Sequence, residues 1–453
     1  MSAKPGGPPG GLAASAYVAF AAFGAFWGVW GASVPRVRDQ AGVSDGQLGL
    51  ALLFVGAGAL PAMLLAGRAL DRFGLRVAAG VIALLGLVGT ALALTARSLP
   101  DLCVGLAVAG AASGAADVAM NAVAGRAEQL AGRPVIARAH GTFSALVVVS
   151  GLATGFGAAR ALPLAVPFAV VALIALAAGA AMLRTLPPHT PAPPEGDAAG
   201  GPGGGAAGGS EGDAFGGSGG GAAGGSEGAD GDASGGSGGA RGAGVRRSPL
   251  RPLLLIGVLG AIAFANENAQ QSWSAVYARD QLHSGTGLAA VAPAVFAATV
   301  SVTRFGLGGL KRVPARTVVL AGALIAAAGS LTIASAPNLP VAACGLVLSG
   351  AGTAVLFPTL IGVVSRNVAE SRRGRATSIV GTVSYLGFLL GPVYIGTWAG
   401  AAGLRGAMVA DAALACVLFL LTAPLLRLTG FTLTGGEPAT GTARAESPAE
   451  VAS

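Results

Sequence analysis

Two carboxylic acids stand in stretches that are otherwise almost wholly apolar, and each has polar company at helical spacing. Asp117 is followed at i+4 by Asn121 and at i+11 by Glu128, so the three fall on one face of a helix. Glu267 lies in the densest polar run of any apolar segment: Asn266, Asn268, Gln270 and Gln271 surround it, and Trp273 and Tyr277 follow. Glu267, Gln270, Ser274 and Tyr277 recur on one face, with Asn266, Gln270 and Trp273 on the adjoining one. Ionisable groups in so apolar a setting are costly and by default mark ion or solute handling. The chemistry open to Asp117 and Glu267 is the uptake and release of a proton. The amide, indole and phenol groups of Asn121, Asn266, Gln270, Trp273 and Tyr277 are candidate solute contacts. The alternative for each is a satisfied hydrogen bond between helices.

The elements that must carry these residues follow from composition. Apolar residues make up 53% of the 453-residue chain and charged residues 11%, less than half of the roughly 25% usual in a soluble domain. A span of about 20 apolar residues crosses a bilayer core, and the chain offers twelve, at 12–35, 47–67, 75–96, 99–125, 139–160, 163–184, 252–276, 285–310, 315–335, 338–365, 375–399 and 404–427. In lipid each must be helical, since every backbone polar group has to be satisfied within the span. The first is too long and too weakly flanked by charge for a cleaved signal peptide and is expected to remain.

Arginines and a lysine cluster in alternate loops: Arg68, Arg72 and Arg76; Arg126, Arg133 and Arg138; Lys311, Arg312 and Arg316; Arg366, Arg372, Arg373 and Arg375. The opposite loops hold only scattered charges such as Arg36, Arg38, Arg97, Arg160, Arg279 and Arg405. The positive-inside rule puts the clusters, both termini and the central linker in the cytoplasm. Because the basic residues are split among loops, the +8 net charge argues for membrane topology and against nucleic acid. Heavy use of Ala, Gly and Arg suggests a bacterial plasma membrane.

The two halves repeat at an offset of 240 residues: Leu70–Arg76 aligns with Leu310–Arg316, Leu99-Pro100 with Leu339-Pro340, and Gly141-Thr142-x-Ser144 with Gly381-Thr382-x-Ser384. Many secondary transporters are two such copies with the solute site between them. Asp117 and Asn121 fall on Phe357 and Ile361, so the second copy lacks the acid. The expected organisation is an N-terminal tail at 1–11, a six-helix bundle at 12–186, a disordered Gly/Ser/Ala-rich linker at 187–250, a second six-helix bundle at 251–428 and a C-terminal tail at 429–453.

Gly67-Arg68-Ala69-Leu70-Asp71-Arg72-Phe73-Gly74-Leu75-Arg76, between the second and third spans, resembles the signature loop of the major facilitator superfamily. The resemblance covers nearly the whole chain and implies twelve transmembrane helices in two pseudo-symmetric bundles, moving a small solute by alternating access. It also implies that the first, fourth, seventh and tenth helices line the pathway. Carried over, Gly67, Asp71, Arg72, Gly74, Arg76 and Arg126 form a conformational latch, with Arg126 the partner of Asp71; a charge needed only for topology is the alternative for Asp71. The stretch from Asp117 to Glu128, followed by Arg138-Ala139-His140-Gly141-Thr142-Phe143-Ser144, is similar to the fucose-permease-like branch, as is Glu267 with Trp273 and Tyr277. Sugar-proton symporters of that kind have an acid in the first span, and 12–35 contains none.

Several residues keep two readings. His140 is a proton relay or a helix-start residue, and Arg304 either balances a buried acid or an anionic substrate or snorkels to the cytoplasmic face. Glu128 reads as a structural charge at the boundary. Gly387-x-x-x-Gly391-Pro392 reads as packing or a hinge, and Cys103, Cys344 and Cys416 as small core residues. Gly216-Gly217-Ser218-Gly219-Gly220 matches a nucleophile pattern only formally, within the linker. No Walker sequence is present, and His140, His189 and His283 are scattered, so an enzyme is not expected. The expected partners are a small-molecule solute, protons and the lipid bilayer, with the protein a monomer and no cofactor or metal. Efflux, or a solute receptor that does not transport, is the competing reading.

Overall fold

The computed structural model describes residues 9–188, 250–306 and 313–432. Most of the tails expected at 1–11 and 429–453, most of the linker at 187–250, and Lys311 and Arg312 of the second loop copy lie outside the described residues.

The chain runs through α1 (Pro9–Ala41), α2 (Asp45–Phe73), α3 (Val77–Thr95), α4 (Leu99–Ala131), α5 (Ile136–Ala159) and α6 (Ala165–Thr185). It continues in α7 (Leu250–Val276), prolonged by a π turn over Tyr277–Gln281, then α8 (Thr286–Gly306), α9 (Ala315–Ser335) and α10 (Leu339–Asn367). The last helical run, Glu370–Thr429, has 60 residues, about 90 Å at 1.5 Å per residue and far beyond a bilayer core of roughly 30 Å. Gly403, at φ 72 and ψ 175, breaks it where an L side chain would be strained. The run is therefore two spans, α11 (370–402) and α12 (404–429), and the described residues form an all-α protein of twelve apolar helices.

Local chemistry starts corresponding helices in the same way. The Ser98 side chain accepts from the Asp101 N–H at 3.3 Å and the Asn338 side chain from the Val341 N–H at 3.1 Å, each followed by Leu-Pro in the first turn. Glu128, expected at a boundary, accepts from the Val135 and Ile136 N–H groups at 2.7 and 2.9 Å and so closes the start of α5. Pro358 lacks the N–H that would reach the Ala354 carbonyl, and α10 is interrupted at Val355.

Packing pairs α1 with α5, α2 with α4, α3 with α6, α7 with α11 and α9 with α10. The Gly387 motif is a packing point: a Cβ there would lie 1.7 Å from the Ala261 carbonyl oxygen of α7. Outward faces remain apolar, with Leu173, Val302 and Leu420 at 68%, 72% and 68% exposure, which suits lipid. Cys344 and Cys416 also stand on exposed faces. That corrects the expectation that they are core residues: apolar composition alone does not tell the lipid face of a span from its packed face.

Candidate functional site

α7 brings Glu267 and α8 brings Arg304 into a buried ion pair. Arg304 Nη2 donates to both carboxylate oxygens at 3.0 and 2.9 Å, and Gln271 Nε2, one turn along α7, donates to Oε1 at 3.2 Å. The side chains are 7% and 20% exposed, so little water screens the attraction. Arg304 therefore balances a buried acid. From the other half, His140 of α5 comes within electrostatic reach of Arg304, its ring packed edge-on against Phe20 of α1 at 4.8 Å. Arg304 Nε and His140 Nδ1 are buried and make no hydrogen bond among the described residues.

Asp117 is buried in α4. Asn121 Nδ2 donates to its carbonyl at 2.9 Å and to its Oδ1 at 3.2 Å. Across the divide between halves, Tyr385 of α11 lies within electrostatic reach of Asp117, stacked on Phe388 at 5.4 Å. The two candidate acids thus each face the opposite half, directly or through one partner.

The remaining α7 candidates turn elsewhere. Asn266 Nδ2 and Gln270 Nε2 donate to Asp411 of α12 at 2.9 and 2.7 Å, and Ser330 Oγ of α9 donates to the same carboxylate at 2.7 Å. The Tyr277 hydroxyl donates to the Ile333 carbonyl at 2.5 Å. Trp273 is fully buried. Asn266, Gln270 and Tyr277 are thereby held inside the second half, on the side of α7 away from Arg304. Asp411 was missed in the sequence. Its one signal was being the lone acid between Arg405 and Arg427 in an apolar run.

At the α2–α3 end, Gly74 (φ 74) closes α2 with its N–H on the Leu70 carbonyl at 2.8 Å. The Arg72 guanidinium lies over the Phe73 ring at 5.4 Å, and Arg76 Nε donates to the Leu186 carbonyl at 3.3 Å. Gly67 has open space beside it. Asp71 and Arg126 are exposed and make no ion pair among the described residues.

The opposite end is tied across the halves. Arg38 of α1 meets Asp280 at 2.5 Å, and Arg279 meets Asp39 at 2.6 Å, while Asp45 of α2 joins Arg38 at 2.5 Å. Arg38-Asp39-Gln40 and Arg279-Asp280-Gln281 are one tripeptide repeated at the same helix end of each half, so each arginine finds the other's aspartate. Nearby, Gly49 and Gly396 bring α2 and α11 together: a Cβ on Gly49 would lie 2.8 Å from the Gly396 Cα.

Sequence comparison agrees with this arrangement. The sequence profile of the Major Facilitator Superfamily matches residues 16–311 and again 307–450. The chain belongs to that superfamily. It is 26% identical over 373 residues to an uncharacterised transporter, y4wD, of Sinorhizobium fredii, covering 82% of this chain and 87% of that one. An uncharacterised MFS-type transporter of Yersinia pestis is 27% identical over 407 residues, at 86% and 87% coverage. Among solved structures, a variant of the nucleoside transporter NupG superposes with a TM-score of 0.70 at 10% identity, over 91% of this chain and 99% of that one. This facilitator is a multi-pass membrane transporter and not an enzyme.

Proposed function

We propose that this facilitator is a proton-coupled secondary transporter of a small solute in a bacterial plasma membrane, working as a monomer with both termini cytoplasmic. The observation that carries the reading is the pair of buried acids at the divide between the halves. Glu267 is held by Arg304 within reach of His140, and Asp117 by Asn121 within reach of Tyr385. A carboxylate there changes the charge of the pathway when it takes a proton, and a charge change shifts the balance between two conformations that hold it differently. Asn121, Gln271 and His140 then stand nearest the solute, together with Arg304. Asn266, Gln270, Trp273 and Tyr277 shape the path from behind by fixing α7.

The ion-pair tie at Arg38, Asp39, Arg279 and Asp280 holds the outer end shut, while Asp71 and Arg126 are apart at the inner end. This combination supports an inward-facing state, in which the signature loop is an open latch that closes when the protein faces outward.

The test is solute accumulation in proteoliposomes under an imposed pH gradient. Wild type should accumulate solute, whereas Glu267→Gln and Asp117→Asn should equilibrate it without accumulation. Full gradient-driven accumulation by both variants would remove the assignment.

A further inference from the structure

We propose that the solute is a small organic monoanion whose carboxylate takes the place of Glu267 on Arg304, Glu267 taking up one proton as it is displaced. The inference rests on the proton-coupled reading above and deepens it to a solute class.

Arg304 carries the argument. At the 240 offset its counterpart is Leu64, so this cation inside a span is peculiar to the second half. A guanidinium has five donors in a planar fork suited to carboxylate. Here both contacts to Glu267 use Nη2 alone, and the buried Nε makes no hydrogen bond among the described residues. A carboxylate that took the place of Glu267 would find this donor unused. His140 Nδ1, from the opposite half, is also buried and unbonded among the described residues. A ligand on Arg304 that also met His140 would draw the halves together. Phe143, partly exposed and packed on Phe23, offers an apolar wall for a carbon skeleton.

Charge decides among solute classes. Glu267 and Arg304 sum to zero. Exchange of Glu267 for an incoming anion, with one proton passing from the medium to Glu267, leaves the pathway neutral, so nothing charged is buried alone. A cation would meet Arg304 in place of a partner. A neutral polyol would leave Arg304 without a counter-charge once Glu267 took up its proton, and the Asn266 and Gln270 amide nitrogens and the Tyr277 hydroxyl are committed to Asp411 and to α9. The charged group on Glu267 is Arg304 on α8, which His140 on α5 faces in turn; Asp117 on α4 faces Tyr385 on α11.

Shape-matched triads test the proposal: glucuronate, glucose and glucosamine, then benzoate, benzyl alcohol and benzylamine. The readouts are thermal stabilisation of the purified full chain and lumenal pH in proteoliposomes. A carboxylate should stabilise the protein and enter with protons beyond the entry into protein-free vesicles, faster when the outside is acidic relative to the lumen because a proton is the co-substrate, while its neutral and amine counterparts do neither. Arg304→Gln should weaken carboxylate binding by about 100-fold, the scale of losing one partner of a buried charge pair, with Arg304→Lys intermediate. Glu267→Gln should bind carboxylate independently of pH and move no protons. Stabilisation by a neutral or amine member with none by a carboxylate would overturn the proposal, and if that member brought protons in, coupled transport would still stand. A carboxylate that entered without protons would overturn both the exchange and the coupling. Carboxylate binding unchanged in both Arg304 variants would overturn the site.

Discussion

At the residue scale three acids are buried among the described residues, each answered differently: Glu267 by a cation, Asp117 by one amide and Asp411 by two amides and a hydroxyl. An acid ringed by neutral donors within one half is placed to fix helices, not to exchange partners. Asp411→Ala would take the carboxylate from the Asn266, Gln270 and Ser330 donors, leaving Asn266 the residue-411 carbonyl and Gln270 the Ser330 hydroxyl, and a buried donor left unpaired costs about 1–3 kcal/mol. We expect the detergent-solubilised protein to melt about 5 °C lower or more, and Asp411→Asn to recover part of the loss; a melting curve that matched wild type for Asp411→Ala would remove the anchoring role. The polar side chains of α7 were legible in the sequence, but the rotation of the helix was not. Polar residues cover both candidate faces, and the partners that separate them, Arg304 and Asp411, lie on α8 and α12. Asp411 itself went unread because no polar neighbour at helical spacing accompanies it.

At the scale of elements, α7 is held on one side by α11 and α12 and reaches Arg304 of α8 on the other through Glu267. Its contact with α11 depends on Gly387, where a side chain would collide with the Ala261 carbonyl. Gly387→Leu should cost about 1–3 kcal/mol as overpacking and lower the yield of monodisperse protein in size-exclusion chromatography. Gly381→Ala on the same helix, with open space around it, should behave as wild type. Equal yields for the two would count against tight α7–α11 packing. Span existence was readable because hydropathy and the Ser98 and Asn338 starts are local properties. The Gly403 break between α11 and α12 was marked only by the end of one apolar run and the start of another, and the ends of α1 and α4 extend beyond their apolar cores to Ala41 and Ala131. Those overhangs carry Arg38 and Asp39 in one helix and Glu128 in the other, which water and ion pairing keep helical.

At the scale of the whole molecule, two charged devices sit at opposite ends of two related halves. In the orientation we propose, the outer one is formed, and the inner one has no ion pair between Asp71 and Arg126 among the described residues. The inner loop is recognisable from Gly67 to Arg76, whereas the outer tie reads in sequence as scattered charge: its tripeptides stand 241 residues apart, one out of the 240 register, and neither arginine has its cross-half partner nearby in sequence. Asp71→Asn should leave solute binding intact and slow transport about tenfold, the effect of roughly 1.4 kcal/mol on one step; transport at the wild-type rate would remove the latch.

The most direct test of alternating access needs no solute. Spin labels at Arg97 and Pro337, equivalent positions of the two halves at the outer end, and at Arg133 and Arg372 at the inner end, would report both gaps in a background with Cys103, Cys344 and Cys416 replaced. We expect a narrow outer distance in the otherwise unaltered protein. With Asp39→Asn and Asp280→Asn together, the outer distance should lengthen as the inner one shortens, and acidification should redistribute both pairs in a manner that Glu267→Gln abolishes. Outer and inner distances that stayed fixed through the tie variants and the pH change would contradict the account.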